Sequence, residues 1–423
     1  MFFQKIKLSP NKFSLLFAFF TIILFSFCDA QQSVKLKNGF WRATIDRADG
    51  HQIVFNFKTK DSASKKIIYV INGSEHLLVD SVETRADSIF IQMPFFESSF
   101  QAKITEGGNL QGNWIKKYGR RIQVLPFNAT FNNKERFKIT APPEADISGR
   151  WMTEFKKPGN KTSNIVAEFK QQGSYLSGTF LDPTGDYRFL QGVVSGDSLK
   201  LSSFDGAHSF LFTAKIDNAR QISGGKYYSG ATSVEEWSAM KDQNVKVSDG
   251  FSEASINKDA GKLNFSFPDS DDSSMVSIND KRFKDKVVII QILGSWCPNC
   301  MDETKFLSDF YNKNQRRGVE MIGLAYERTP DFGSSQKALQ PFKKRLDVEY
   351  PVLITGVTVS DPQKAEKTLP QLESIAAFPT TIFVDKKGNI RKLESGFSGP
   401  ATGEHYTEFK KKFNKIVDDL LDE

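Results

Sequence analysis

One stretch of sequence constrains the fold of this 423-residue chain more than any other. The run Val287–Leu293 is apolar apart from a single glutamine and rich in β-branched residues, which predicts a strand buried on both faces of a sheet. Gly294 and Ser295 end this pattern, and a helical pattern follows. Cys297 and Cys300 therefore lie where a buried strand passes into a helix.

The position and spacing of the two cysteines predict a reactive pair. The free N–H groups and the dipole of a helix N-terminus stabilise a thiolate, so the pKa of Cys297 is expected to be low. The i, i+3 spacing brings the sulfur of Cys300 close enough to resolve a mixed disulfide. Trp296 and Pro298 are expected to leave the first sulfur exposed and the second covered, so that the two thiols differ in role.

Two structural interpretations of the pair stay open. A structural zinc site needs four Cys or His ligands, but the only other cysteine is Cys28 and the histidines show no ligand spacing. A purely structural disulfide across two residues would gain little stability from cross-linking. We therefore predict no metal and no cofactor beyond a redox-active Cys297–Cys300 disulfide.

Three motifs carry a resemblance to a known family. The chain has W-C-P-N-C at Trp296–Cys300, F-P-T at Phe378–Thr380 and then T-I-F-V-D at Thr381–Asp385. This combination resembles the thioredoxin fold and is most similar to TlpA-like thiol:disulfide oxidoreductases of bacterial envelopes. The resemblance implies that Pro379 is a cis-proline lying against the cysteine pair. The C-x-x-E pattern of those proteins places Glu303 after the motif.

The resemblance also implies a role for each residue. Cys297 would attack as the thiolate, and Cys300 would resolve the mixed disulfide. Pro379 would leave a backbone group free to pair with a substrate strand and would keep metals from the thiols. Glu303 would move protons near the buried cysteine, with a solvated helix acid as the alternative. The supporting positions are Trp296, Pro298, Asn299, Phe378 and Thr380.

Two positions depart from the family pattern. Gln291 stands where thioredoxins carry an acid six residues before the first cysteine, and glutamine cannot titrate. Lys305 replaces the helix proline of many relatives. Any proton transfer therefore falls to Glu303 or to water.

The rest of this region predicts an α/β thioredoxin fold over residues 263–423. Met321–Ala325 is the next buried strand. Ser334 or Ser335 can cap a helix that Pro341 delays or kinks. Asp361-Pro362 is expected to begin an inserted helix with a cap and a proline in its first turn.

Residues 1–30 predict a secretory signal peptide. A basic start precedes the apolar run Phe13–Phe27, which is shorter than the roughly 20 residues of a membrane-spanning helix. Ala30 precedes the predicted cleavage site. Lipidation of Cys28, disfavoured by the bulky residue before it, and an uncleaved membrane anchor are the alternatives. All three place the rest of the chain outside the cytosol, in the periplasm or cell envelope.

Between the leader and the α/β region the pattern changes to half-buried antiparallel strands. Apolar and polar residues alternate, and turn residues recur every eight to twelve positions. We predict two all-β modules at 33–140 and 145–247, joined near Ala141-Pro142-Pro143. A polar linker at 248–262 then leads into the α/β region.

The second β module is predicted to repeat the first. The matched segments are 39–41 with 149–151 (GFW and GRW), 87–89 with 197–199 (DSI and DSL), and 102–104 with 214–216 (AKI in both). The G-x-W pattern resembles the opening of calycin barrels, and other small barrels or sandwiches remain alternatives. The aromatic residues are expected to form core rather than a ligand box: Trp41, Phe95, Phe96, Trp114, Trp151, Phe210, Tyr227 and Tyr228.

These features favour one function over two alternatives. The chain is predicted to be an envelope thiol:disulfide oxidoreductase of the reductase type. Its partners would be protein thiols and disulfides and an upstream membrane dithiol donor. The net charge of +7 is interspersed with acids, which argues against a nucleic-acid partner. A peroxidase would want a threonine where Gly294 stands, and a binding protein would place the function in the β modules.

Overall fold

The structure is a computed structural model, and it describes residues 1, 35–63, 65–118, 121–157, 159, 161–247, 256–257 and 261–423. The predicted signal peptide with Cys28 and most of the predicted linker lie outside the described residues.

The first β module is an antiparallel sheet of nine strands whose neighbours in space are neighbours in sequence, apart from the β1–β9 pair. The two ends of the strand order are β4 and β5, which Asp80 alone separates in the chain, so the sheet closes into a ring there. We call this module barrel 1. Its strands are β1 (Gly39–Asp46), β2 (Gln52–Ser62), β3 (Lys65–Asn72), β4 (Glu75–Val79), β5 (Ser81–Arg85), β6 (Ser88–Gln92), β7 (Ser98–Ile104), β8 (Leu110–Tyr118) and β9 (Arg121–Phe131).

The second β module, barrel 2, closes by direct strand pairing. Its first strand pairs with its last, and its second strand pairs with its third. The strands are β10 (Gly149–Lys157), β11 (Lys161–Gln172), β12 (Tyr175–Asp182), β13 (Gly185–Asp186), β14 (Leu190–Ser195), β15 (Ser198–Phe204), β16 (Ser209–Asn218), β17 (Gln221–Ser229) and β18 (Ser233–Lys241). This up-and-down order is that of calycin-like barrels.

The matched segments of the two modules occupy equivalent places in the strand order. Trp41 is the third residue of β1 and Trp151 is the third residue of β10, and both side chains are fully buried. The amide of Ile104 donates to the Asp87 carbonyl at 2.7 Å, and the amide of Ile216 makes the matching bond in barrel 2 at 2.6 Å. The repeated tripeptides therefore build the same structural features twice.

Alternating side chains fill the barrel interiors. In β7, Phe100 and Ala102 face inward while Gln101 and Lys103 are exposed, as a period of two requires. The cavity inside barrel 1 has a volume of about 10 Å³, enough for at most one water molecule. The aromatic residues are thus core, as predicted, with the exception of Phe95 and the neighbouring Phe96, which contact the α/β domain instead.

The C-terminal domain, which we call the redox domain, has a five-stranded mixed sheet in the order β23-β22-β21-β24-β25. A short hairpin, β19 (Ser266–Pro268) and β20 (Met275–Ser277), precedes it. The sheet strands are β21 (Val287–Leu293), β22 (Val319–Ala325), β23 (Val352–Ile354), β24 (Thr380–Val384) and β25 (Ile390–Ser395). The helices are α1 (Pro298–Asn314), α2 (Phe332–Leu346), α3 (Lys364–Thr368) and α4 (Glu404–Asp422). The predicted fold class, two β-rich modules before a thioredoxin-like domain, is confirmed.

Two predicted helix starts are wrong. Helix α2 is capped by Asp331, whose carboxylate accepts from the Ser334 amide at 2.8 Å, so the helix begins before the serines. Helix α3 begins after Pro362, because Asp361 closes a local turn with the Gln363 amide at 2.9 Å. Helix α2 contains the proline expected to delay or kink it.

The three domains pack directly on one another. Phe204 of barrel 2 stacks on Phe55 of barrel 1 with ring centroids 4.4 Å apart. Phe95 of barrel 1 contacts Phe342 of the redox domain edge-on at 6.3 Å. Among the described helices, none combines the length and apolar character needed to cross a bilayer.

Candidate active site

The two cysteines lie at the junction between β21 and α1. Cys297 is the N-cap residue of α1, and its Sγ accepts a hydrogen bond from the Cys300 amide at 3.1 Å. Pro298 occupies the first turn, where its missing N–H costs nothing. Both cysteines are free thiols. The sulfur therefore lies at the positive end of the α1 dipole, beside the free N–H groups of the first turn.

The two thiols differ in their electrostatic environment. Cys300 is fully buried, and burial, the hydrogen bond with Cys297 and the charge of Glu303 together raise its pKa well above the ordinary value. Because only the thiolate is a good nucleophile, Cys300 is the poorer attacking group until its proton is removed. This asymmetry suits Cys297 as the first nucleophile.

The expectation that Cys297 is exposed is wrong, because only 5% of its surface is accessible. Its thiol donates to the Phe378 carbonyl at 3.5 Å. It also belongs to an apolar cluster that includes Phe96 from barrel 1 and Phe397 from the redox domain. Sequence reasoning treated the redox domain alone, whereas the barrels contact the residues around the sulfur.

Barrel 2 contacts the residues that follow Cys297. Gly185 lies against the side chain of Asn299, with no room for a Cβ atom between them. The Arg188 guanidinium donates to the Pro298 carbonyl at 3.2 Å and to the Asp302 carboxylate at 2.5 Å. The short segment around β13 therefore holds the first turn of α1.

Arg188 joins all three domains. Its guanidinium is fully buried and pairs with Glu75 of barrel 1, with Asp205 of barrel 2 at 3.2 Å, and with Asp302 of the redox domain. A buried cation paired with three carboxylates holds the three domains in fixed relative positions. Removing any one of the four groups would leave uncompensated buried charge, which costs stability.

The proline loop lies beside the pair. The Phe378–Pro379 peptide bond is cis, as the resemblance implies. The ring of Phe378 contacts that of Trp296 at 5.4 Å between centroids. The hydroxyl of Thr380 donates to the Ala377 carbonyl at 2.8 Å, which braces the loop. The motif residues separated by about eighty positions in sequence are therefore neighbours in space.

Glu303 is completely buried rather than solvated. Its carboxyl accepts hydrogen bonds from the Gln291 side-chain amide at 2.7 Å and from the Thr381 hydroxyl at 2.8 Å. Burial raises its pKa to about 7, against the lowering effect of these two bonds. Gln291, which stands where thioredoxins carry an acid, thus donates a hydrogen bond to the Glu303 carboxyl. A carboxyl that titrates near neutral pH beside Cys300 is suited to exchange a proton with it.

Sequence reasoning missed two further buried carboxyls. Glu327 accepts from the amide and the hydroxyl of Ser295, both at 2.8 Å, and burial raises its pKa to about 7. Glu394 lies on β25 opposite Thr381, and both its carboxyl oxygens are buried without a hydrogen-bond partner. Burial raises the pKa of Glu394 to about 8. The sequence shows these carboxyls only as acids near the ends of strands. Such acids are common on solvated surfaces, so the pattern alone does not indicate burial.

The described residues include no group of three or more His, Cys, Asp or Glu side chains placed to hold a metal ion. Lys305, considered above as a departure from the family, pairs with Asp309 on the exposed face of α1.

The Redoxin family model matches residues 257–407. The thiol-disulfide oxidoreductase ResA of Bacillus thuringiensis subsp. konkukian is 29% identical over 132 residues, which are 31% of this chain and 66% of that protein. ResA of Bacillus subtilis is 22% identical over 142 residues, covering 34% of this chain and 69% of that protein. The chain thus spans just under two thirds of the first relative's length.

A solved structure of a thiol-disulfide oxidoreductase from Bacteroides fragilis is 18% identical with a TM-score of 0.26, and it covers 34% of this chain and 96% of that chain. The Redoxin match contains the cysteine pair, the buried Glu303 and the cis-proline. In these residues and in the matched relatives, the C-terminal domain is similar to Redoxin proteins and to the thiol-disulfide oxidoreductases of the thioredoxin superfamily.

Proposed function

We propose that this chain is a thiol:disulfide oxidoreductase that reduces disulfides of partner proteins in the cell envelope. The observation that carries the proposal is the placement of the Cys297 sulfur at the N-terminus of α1, 3.1 Å from the Cys300 amide. The free N–H groups of the helix N-terminus lie beside this sulfur, and the second cysteine is close enough to resolve a mixed disulfide. The Redoxin match and the names of the relatives support this reaction class.

The exchange has two steps. The Cys297 thiolate attacks one sulfur of a substrate disulfide, forming a mixed disulfide while the other substrate sulfur leaves as a thiolate. Cys300 loses its proton and attacks the sulfur of Cys297, which breaks the mixed disulfide and releases the second substrate sulfur. Two electrons pass from the dithiol to the substrate, and the Cys297–Cys300 disulfide remains.

Glu303 supplies the proton acceptor for the second step. Cys300 is buried and its pKa is raised, so it needs a nearby base. The Glu303 carboxyl titrates near pH 7 and influences the pKa of Cys300 through its charge. Pro379 borders the pair and leaves backbone groups for a substrate strand, as the resemblance implies.

The proposal includes a location and a source of electrons. Residues 1–30 would export the chain, with lipidation at Cys28 or retention of the segment as the alternatives. An upstream membrane dithiol donor would return the Cys297–Cys300 disulfide to its reduced form. No other cofactor is required, because the cysteine pair itself carries both electrons.

Insulin reduction by the mature chain tests this proposal. We expect catalytic precipitation of insulin with dithiothreitol as the electron source, no catalysis by Cys297→Ser, and only stoichiometric mixed-disulfide formation by Cys300→Ser. Equal catalysis by the wild type and the Cys297→Ser variant would contradict the proposal. Turnover of hydrogen peroxide without a dithiol partner would instead favour the peroxidase alternative.

A further inference from the structure

A large cavity lies between barrel 1 and the redox domain. Its volume is about 980 Å³. Barrel 1 contributes the β6–β7 turn, residues 93–97, together with Lys116 and Lys117 of β8. The redox domain contributes Ser295 and Trp296, residues 327–331 and one face of α2. Neither domain alone forms this cavity, so it exists only because barrel 1 is docked there.

The part of the cavity wall that barrel 1 contributes includes two residues with a left-handed backbone conformation. Phe96 and Glu97 have φ values of +68° and +46°, a left-handed conformation that non-glycine residues rarely adopt. This turn directs Phe96 into the apolar cluster that contains Cys297, and the Glu97 carbonyl accepts from the Lys117 amide at 3.1 Å. The surrounding contacts thus maintain an unfavourable turn at the boundary with the redox domain.

The cavity reaches the neighbourhood of the cysteine pair through Trp296. The Trp296 indole N–H donates to the Tyr326 carbonyl at 2.9 Å, and its ring contacts Phe378, the residue whose carbonyl accepts from Cys297. The Arg328 guanidinium lies 5.3 Å from the Trp296 ring centroid.

The opposite approach to Cys297 is occupied. Gly185 and Arg188 of barrel 2 contact Asn299 and Pro298. The cavity bordered by Trp296, at about 980 Å³, is larger than the one bordered by Gly185 and Phe397, at about 320 Å³, and Cys297 itself lines neither.

The lining combines an apolar surface with an excess of positive charge. Its apolar part includes Met93, Phe95, Trp296 and Phe342. Five cationic side chains line it: Lys116, Lys117, Arg328, Lys337 and Arg345. Three acidic side chains line it: Glu97, Glu327 and Asp331. Glu327 and Asp331 accept hydrogen bonds from Ser295 and Ser334, and Arg345 is paired with Asp80 of barrel 1, so the other four cations supply the excess positive charge.

We propose that this cavity binds an acidic segment with apolar side chains in the polypeptide that presents its disulfide to Cys297. The inference rests on the proposed function and assigns substrate selection to the junction with barrel 1. Complementary charge accelerates encounter and rejects partners of like charge. The cationic lining would thus favour acidic polypeptides over basic ones, while Phe95 and Trp296 contact their apolar side chains.

Two peptide disulfides of equal length test the inference. Each carries one cysteine in mixed disulfide with a chromophoric thiol, flanked by leucine and either glutamate or lysine. We expect the reduced full chain to react about tenfold faster with the glutamate peptide at low ionic strength. This preference is expected to shrink above about 0.1 M salt, where the screening length is about 10 Å.

Charge reversal in the cavity sharpens the test. Lys117 and Lys337 are exposed and lie on different domains, so Lys117→Glu with Lys337→Glu is expected to keep the fold and to abolish the preference. Lys411→Glu, on exposed α4 outside the cavity, is the matched control and is expected to keep it. The uncharged reagent dithiodipyridine is expected to react equally with all three proteins.

The outcomes separate the two proposals. Equal rates for the two peptides, or an unchanged preference in the doubly reversed variant, would overturn the cavity inference. Continued reaction of these proteins with dithiodipyridine would show that the proposed redox function still holds. Failure of the wild type to exchange with either peptide or with dithiodipyridine would overturn the proposed function and, with it, the inference.

Discussion

The contact between the two barrels and the sheet of the redox domain bury polar groups in different ways. Between the barrels, Arg136 is buried but donates to Asn56 at 3.1 Å and to the Ser202 carbonyl at 3.0 Å. In the redox domain, Glu303 and Glu394 are buried with pKa values raised to about 7 and about 8; among the described residues Glu394 has no hydrogen-bond partner, and the Lys392 ammonium lies 3.9 Å from one of its oxygens. Burying a carboxyl without compensation costs stability. Such a cost concentrated around a cysteine pair indicates a functional site.

The largest effect is expected at the proton acceptor of the redox domain. Glu303→Gln keeps both hydrogen-bonding neighbours in place but cannot take a proton. General acid–base groups typically contribute on the order of 10²–10⁴-fold, so we expect turnover in insulin reduction at pH 7 to fall by about 10²-fold. The control is Glu320→Gln, at the second position of β22. An unchanged pH–rate profile in Glu303→Gln would contradict the assignment of Glu303 as the proton acceptor.

The opposite result is expected in a barrel core. Phe180 of barrel 2 is fully buried among aromatic neighbours. Phe180→Ala leaves a cavity and is expected to lower the free energy of unfolding by about 3–5 kcal/mol. Denaturant unfolding measures this loss, and the dithiodipyridine reaction rate is expected to stay within about twofold of the wild type. A large loss of thiol reactivity without a loss of stability would contradict the comparison.

Arg188 tests the contact between the two regions. Arg188→Met leaves Asp205, Asp302 and Glu75 without their buried cation, which is expected to cost roughly 3–5 kcal/mol. Loosening this contact also uncovers the first turn of α1, so alkylation of Cys297 by iodoacetamide is expected to be faster in the folded protein. Mass spectrometry of the modified cysteine measures the rate.

The matched control for Arg188 is Arg345→Met. Arg345 also joins barrel 1 to the redox domain, through Asp80 at 2.5 Å, but both side chains are partly exposed. This variant is expected to lose less than about 1 kcal/mol. Alkylation of Cys297 at the wild-type rate in Arg188→Met would show that barrel 2 does not control access to the sulfur.

The last effect concerns the dependence of stability on pH. The pKa values of Glu303 and Glu394 are raised from 4.5 to about 7 and about 8 in the folded chain, so the folded state holds protons that the unfolded state loses. Their contribution to stability is therefore complete below about pH 4.5 and is lost as pH rises toward 8. Each carboxyl changes the free energy of unfolding by at most about 1.4 kcal/mol per pH unit.

A glutamine substitution isolates the contribution of the Glu394 carboxyl to the pH dependence of stability. Glu394→Gln is expected to match the wild type near pH 5 and to unfold at a higher temperature near pH 8, because glutamine stays neutral. Glu408→Gln on the exposed face of α4 is the control. A lower melting temperature for Glu394→Gln at pH 8 would mean that Lys392, 3.9 Å from the carboxylate, compensates its burial.

The sequence predicted features that depend on local pattern. The buried strand β21, the cysteine pair at the start of α1 and the alternating barrel strands all follow from periodicity and turn residues within about twenty positions. The cis-proline was accessible only through the resemblance, because no local pattern specifies it. The start of α3 was wrong because Asp361 closes its own turn, a competition that short-range capping rules do not resolve.

Features that depend on domain packing were missed. Arg188 and Asp302 are 114 positions apart, and nothing near either residue indicates the other. Cys297 belongs to an apolar cluster with Phe96 of barrel 1, which no pattern near the cysteine indicates. Glu394 occupies an ordinary strand position, and its burial depends on neighbours from several elements. Periodicity carries no information about such long-range contacts.

The most direct test of the account is the trapping of a mixed disulfide. The reduced Cys300→Ser variant is incubated with a peptide disulfide, and the adduct is mapped by proteolysis and mass spectrometry. We predict one peptide bound per chain, attached at Cys297 and released by dithiothreitol. A chain that stays unmodified, or that carries the peptide anywhere other than Cys297, would contradict the central claim that this sulfur is the attacking nucleophile.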